Sequence, residues 1–147
     1  MDVRLGYRAM AAQGATPLRL VILLYDQAIA DLHSALSALA RGDIEGRTRM
    51  INHAFLVIGY LQGTLNKDHG GKVAEDLERF YGKLRAGLVQ AQFRQSEARL
   101  RRQLADLMKV REAWEHVDQL QADAARRAAH FSENEPDGQP ATIEWRG

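Results

Sequence analysis

The sequence has 147 residues, 46% of them apolar, enough for one domain to bury a core without disulfide or metal support. It contains no cysteine, which excludes disulfide frameworks, thiolate zinc sites, iron–sulfur clusters and cysteine nucleophiles, and fits a reducing compartment. Twenty Lys and Arg against nineteen Asp and Glu leave a net charge of +1, not the strongly basic balance of a general nucleic-acid binder.

Residues 1–15 form a short separate segment with Val3, Leu5, Tyr7 and Met10 among small and polar side chains. No Sec-type signal is visible in them, so a cytoplasmic location is expected. Thr16-Pro17 then reads as an N-cap followed by proline at the first helical position. From there Leu18, Ile22, Tyr25, Ile29, Leu32, Leu36 and Leu39 step alternately by four and three, a heptad seam. The longest apolar run, Leu20 to Tyr25, falls far short of the roughly 18 residues of a membrane span.

Arg41-Gly42 supplies a stop and Asp43 a cap for a second helix reaching about Leu65, with Ile51, Phe55, Ile58 and Leu65 on one stripe. Residues 66–71 read as a loop with two glycines. The third helix follows Val73, Leu77, Phe80, Leu84, Leu88 and Ala91, with Glu75 and Asp76 early, where the helix dipole favours acids. Ser96 caps a fourth helix carrying Leu100, Leu104, Leu107, Trp114 and Val117 and continuing towards Phe131. No proline lies between 18 and 135 to break any of them. Helices of about 21 to 24 residues make rods of roughly 30–36 Å. The expected fold is an all-α, antiparallel four-helix bundle over 16–131. The N-terminal segment 1–15 precedes it, and a polar tail over 132–147 is expected to be disordered.

Chemistry is searched for and mostly not found. A di-iron bundle needs Glu-x-x-His on two helices, and the motif is absent. Glu112, Glu115 and His116 make one charged patch on one helix, and His33, His53, His69 and His130 lack ligand spacing. Gly70-Gly71-Lys72-Val73 lacks the spacing, hydroxyl and preceding strand of a phosphate loop. None of the serines at 34, 37, 96 and 132 sits in a nucleophile elbow. The arginines at 94, 99, 101, 102, 111, 126 and 127 alternate with Glu97, Asp106, Glu112 and Glu115, as on a solvated face. No enzyme, cofactor, metal site, nucleic-acid contact or membrane insertion is expected.

One feature is informative. A bundle helix needs about three apolar positions in seven, yet nine of the twelve residues 50–61 are apolar. Ile51, Phe55 and Ile58 make one stripe, Met50, Ala54, Val57 and Leu61 a second, and Leu56 and Tyr60 lie outside both. On the first helix Leu20, Val21, Leu23 and Leu24 exceed the seam. The excess is expected to make a wide core if the helix is central, to meet a partner chain in a groove, or to meet a second copy as a homodimer through that groove. Residues 1–15, with Leu5, Tyr7 and Met10, are suited to cover it when empty.

At these residues the chain resembles the flagellin-specific export chaperone family, FliS. Gly6-Tyr7-Arg8-Ala9, Thr16 to Ile29 with Leu24-Tyr25-Asp26, Ala54 to Ile58, Leu65-Asn66 with Gly70-Gly71-Lys72-Val73-Ala74, Leu77 to Leu84 and Arg111-Glu112-Ala113-Trp114 carry the likeness. The match covers about residues 5–118, and the pieces keep the family's order and spacing. Gln27 stands where the family has glycine, and Thr16 where it has serine. The resemblance implies a cytoplasmic chaperone that binds the disordered C-terminal segment of flagellin. It would prevent premature polymerisation and assist delivery to a flagellar type III export gate component. On that reading Tyr7, Met10, Leu24, Tyr25, Leu56, Val57, Tyr60 and Leu61 are the expected partner-binding residues.

Overall fold

Three of the four helices open at a side chain that takes over a free backbone N–H. Thr16 Oγ1 accepts from Arg19 N at 3.1 Å, Asp43 Oδ1 from Gly46 N at 2.9 Å and Ser96 Oγ from Arg99 N at 3.2 Å, each as the sequence predicts. The computed structural model describes residues 8, 9, 12, 14, 16–65 and 70–134. Among the described residues the helices with defined bounds are α1 (Pro17–Ala40), α2 (Ile44–Gly63), α3 (Gly71–Arg94) and α4 (Glu97–Glu133). There is no strand among the described residues. Gly42, at φ +70°, makes the left-handed step that lets the chain reverse between α1 and α2 within three residues.

Two boundaries differ from expectation. Gly71 opens α3 instead of closing the loop before it. α4 has 37 residues, about 55 Å, against 20 to 24 for the others. Nothing between Glu97 and Glu133 stops it, because that stretch contains neither glycine nor proline. Ser132 and Glu133 therefore belong to α4, and only 135–147 of the expected tail lie outside the described residues.

The helices form a closed ring in the order α2, α1, α4, α3, with α1 packed most extensively on α2 and next on α4. Side-chain pairs set the directions. Arg19 meets Glu115 and Asp118 while Asp26 meets Arg111, so α1 and α4 are antiparallel. Arg85 donates to Gln62 at 2.9 Å and Arg47 to Gln92 at 3.3 Å, so α2 and α3 are antiparallel too. Three residues join α1 to α2 and two join α3 to α4, which leaves antiparallel packing as their only arrangement. This is the expected bundle.

The core differs in part. On α1 the predicted seam holds at Ile22, Tyr25 and Leu32, which are buried, but the core also takes in Leu20, Leu24, Ala28, Ala35 and Ala38, while Ile29, Leu36 and Leu39 of the seam are only partly buried. On α3 the buried residue of the first turn is Ala74, and Val73 is 62% exposed. On α2 the two stripes merge: Ile51, Ala54, Val57, Ile58 and Leu61 are all buried. α2 packs against both α1 and α3, so it internalises an arc wider than one seam.

Candidate partner-binding surface

The expected site residues separate into core and surface. Leu24 is 3% exposed, and Tyr25, Val57 and Leu61 are fully buried. These four hold the bundle together and offer no surface to a partner, which corrects the expectation that they bind one. Their burial uses up much of the apolar excess read from the sequence. Leu56, by contrast, is 51% exposed, and Tyr60 is half-buried. Tyr7 and Met10 lie outside the described residues.

His53, Leu56 and Tyr60 recur at helical spacing on one face of α2. A buried clasp fixes that face against α1. Asp31, only 4% exposed, has Oδ2 2.6 Å from His53 Nδ1, and its Oδ1 accepts from Gln27 Nε2 at 3.0 Å. Continued along the antiparallel pair, this register sets Gln27 level with Val57 and half-buried Leu23 level with Leu61, one residue from Leu56 and Tyr60. The result is a shallow apolar strip of Leu23, Leu56 and Tyr60 along the α1–α2 seam, bounded by a polar clasp.

The clasp predicts a pH signature. Burial pushes the Asp31 carboxyl above its ordinary range, against the opposing pull of the His53 and Gln27 hydrogen bonds. A carboxyl raised by folding stabilises while protonated, and that contribution is lost as pH climbs through its folded value. Asp31→Asn, which does not titrate, is expected to gain stability relative to the parent as pH rises above 3.8, the ordinary value of the carboxyl. Denaturant titrations across that rise check it, and a flat difference refutes it.

A second apolar feature lies where α1 begins. Val21, Leu65, Val73, Leu77, Tyr81 and Trp114, with Thr64, Gly70 and Ala74, line an open cleft of about 180 Å³. Beside it the Tyr25 and Tyr81 hydroxyls are hydrogen-bonded at 2.7 Å. Burial pushes both phenols above their ordinary value of 10.0. The buried Trp114 indole N–H has no hydrogen-bond partner; it approaches the Tyr25 hydroxyl without meeting hydrogen-bond geometry.

Here the two sequence pieces that bracket the bundle come together. Asp26, next to Tyr25, accepts from Arg111 Nε; Arg111 also pairs with Glu115 at 3.5 Å, and Glu115 with Arg19 at 3.2 Å. Leu24-Tyr25-Asp26 and Arg111-Glu112-Ala113-Trp114 thus form one clasp between α1 and α4. Sequence reasoning missed this pairing and the Asp31–His53 bond. The only local signal was a polar residue set within an apolar stripe. Among the described residues no group of three or more His, Cys, Asp or Glu is placed to hold a metal, and no helix is long and apolar enough to cross a membrane.

Comparison with known proteins places this architecture. Residues 3–121 match the family described as Flagellar protein FliS. The chain is 31% identical over 103 residues to the flagellar secretion chaperone FliSB of Pseudomonas aeruginosa, covering 70% of this chain and 82% of that protein. It is 27% identical over 108 residues to the flagellar secretion chaperone FliS of Salmonella typhimurium, covering 73% and 80%. With a helical bundle closed by the two motifs of the resemblance and a match across most of its length, the chain belongs to the FliS family, a family of chaperones and not of enzymes.

Proposed function

We propose that this protein is a cytoplasmic flagellar export chaperone that binds the C-terminal segment of flagellin, keeps it from polymerising and presents it to the export gate. The observation that carries the reading is Leu56, an apolar side chain 51% exposed after the core has absorbed its neighbours, with the half-buried Leu23 and Tyr60 beside it as an apolar strip. The relatives' names, flagellar secretion chaperones, support the class of client. The mechanism is coupled folding and binding. A client segment without structure of its own lays apolar side chains along the strip and orders as it does so. Such segments bury on the order of 1,000–3,000 Å² and lose about 2–5 kcal/mol to ordering.

Calorimetric titration with the C-terminal segment of the cognate flagellin tests this. The parent is expected to bind with a negative heat-capacity change, and Leu56→Asp to bind at least about tenfold more weakly. No binding by the parent, or a stable dimer that the segment does not disrupt, overturns the reading.

A further inference from the structure

The net charge of +1 hides an uneven distribution. α1 and α3 end, and α2 and α4 begin, at one end of the bundle. Residues 41–49 and 92–102, which build that end, hold seven arginines against three acids, Asp43, Glu45 and Glu97. Two of the arginines are answered from within: Asp43, the α2 cap, lies 3.8 Å from Arg41, and Glu97 pairs with Arg101 at 2.7 Å. The other five, Arg47, Arg49, Arg94, Arg99 and Arg102, pair with no carboxylate among the described residues. None of the bases here is a lysine; the lysines stand at 67, 72, 83 and 109. The chain outside the described residues joins the bundle elsewhere: the residues before Thr16 precede α1, 66–69 lie between α2 and α3, and 135–147 follow α4.

Arg47 is the unusual member. It is 4% exposed, yet its side chain makes one hydrogen bond, from Nε to Gln92 Oε1 at 3.3 Å. Gln92 is turned to serve it, because Gln92 Nε2 donates to Thr48 Oγ1 at 2.5 Å and leaves Oε1 to accept. A buried charge is normally paired. The terminal nitrogens of Arg47 meet no acceptor among the described residues. They are not sealed in either, since the Trp114 indole nitrogen is the only side-chain polar atom there that is both fully buried and unpartnered. The stem of Arg47 is therefore packed between α2 and α3 while its planar fork opens to the surface, steadied by an amide. Such a fork fits a carboxylate through two parallel hydrogen bonds.

Exposed apolar side chains stand at the same end, Ile44 at 59% and Phe93 at 83%. Arginine and aromatic side chains with little lysine are the composition of protein interfaces. A nucleic acid would gain affinity from phosphate neutralisation, which lysine also serves and which Asp43, Glu45 and Glu97 oppose. We infer that this end of the bundle is an interaction surface for an acidic segment of a partner protein. One carboxylate of that segment seats on the Arg47 fork, the neighbouring arginines neutralise others, and Phe93 covers an apolar side chain. Leu56 lies nine residues along α2 from Arg47, about 14 Å. The surface is thus separate from the Leu23, Leu56 and Tyr60 strip and stands whether or not flagellin is the client.

A synthetic peptide of glutamates interspersed with leucines, titrated into the full chain and followed by NMR, tests this. Amide shifts are expected to concentrate in residues 41–49 and 92–102, with the Arg47 Nε–H signal moving alongside. The same peptide with glutamine in place of glutamate is expected to move neither. Arg94→Glu combined with Arg99→Glu is expected to weaken binding at least about tenfold. Arg126→Glu combined with Arg127→Glu, the same change of charge on distant α4, is expected to alter it less than about twofold. Arg47→Lys keeps the charge but not the fork and is expected to bind at least about fivefold more weakly. Arg94 and Arg99 are exposed, so their variant carries the test even where Arg47→Lys does not fold. No binding, shifts centred elsewhere, or equal effects of the two double variants overturns the inference. Unchanged binding by folded Arg47→Lys overturns the seat on the fork. Tighter binding to a DNA duplex or to phosphatidylserine vesicles than to the peptide overturns the choice of partner.

Discussion

Replacing Val57 by aspartate is expected to unfold the bundle, while the same replacement at the adjacent Leu56 is expected to leave it folded. Val57 has no exposed surface and sits among the core residues of α2, whereas Leu56 is 51% exposed. At Val57 the change loses about 1.5–3 kcal/mol of apolar burial. It also places a carboxylate where no partner is available, at a further cost of several kcal/mol. Together these approach the whole stability of a domain of this size, about 5–15 kcal/mol. At Leu56 the carboxylate stays in water, and surface changes usually fall within about 0.5 kcal/mol. Melting followed by far-ultraviolet circular dichroism is expected to show no cooperative transition for Val57→Asp. For Leu56→Asp it is expected to show a Tm within about 2 °C of the parent. A folded Val57→Asp protein refutes the placement of α2, and an unfolded Leu56→Asp protein removes the binding strip.

That boundary between neighbours is where sequence reading stops. Helix starts were legible because capping is local: Thr16, Asp43 and Ser96 each act on an N–H three residues ahead. The bundle was legible because the apolar period runs through all four helices. The register of the core was legible only in part. A pattern of apolar positions does not separate a small side chain fully inside from a large one at the rim. Hence Ala28 and Ala35 occupy the centre of α1 while Ile29 and Leu36 border it. Nor does a stripe reveal how many helices its own helix will touch. α2 meets two, and the apparent excess at Val57 and Leu61 is the second contact.

The candidate surface was legible at Leu56 and Tyr60, the two positions outside both stripes of α2, and at Leu23, one of four apolar residues beyond the α1 seam. The resemblance to FliS named Leu24-Tyr25-Asp26 and Arg111 to Trp114 as separate pieces. Their residues are 85 apart in sequence at the Asp26–Arg111 hydrogen bond, and no periodicity within either helix encodes that meeting. Once it is in place, Tyr25 reads as an anchor of the α1–α4 clasp, and the conspicuous motif explains the shape of the bundle more than its binding.

The tyrosine pair beside that clasp gives the second large effect. Tyr81→Ala is expected to cost about 3–5 kcal/mol, because a fully packed ring is removed from a site 1% exposed. Tyr81→Phe keeps the ring and is expected to cost about 1–3 kcal/mol, since it leaves the Tyr25 hydroxyl buried without its 2.7 Å partner. The double variant Tyr25→Phe with Tyr81→Phe is expected to cost less than the two single changes added together, because no hydroxyl is then stranded. Alkali separates this from simple packing loss. Burial raises both phenols, so the folded state holds their protons above pH 10, where the unfolded chain releases them. Their contribution is therefore complete below the unfolded value and is lost as pH rises beyond it. Urea titrations from about pH 9.5 to 11 are expected to show a steep loss of stability in the parent, a shallower one in either single Phe variant and the shallowest in the double. An unchanged slope in the double variant means that other groups govern the alkaline limb and that the buried pair does not hold its protons. A smaller loss in Tyr81→Phe than in Tyr25→Phe points to Trp114, whose unpartnered indole N–H can then donate to the Tyr25 hydroxyl that remains.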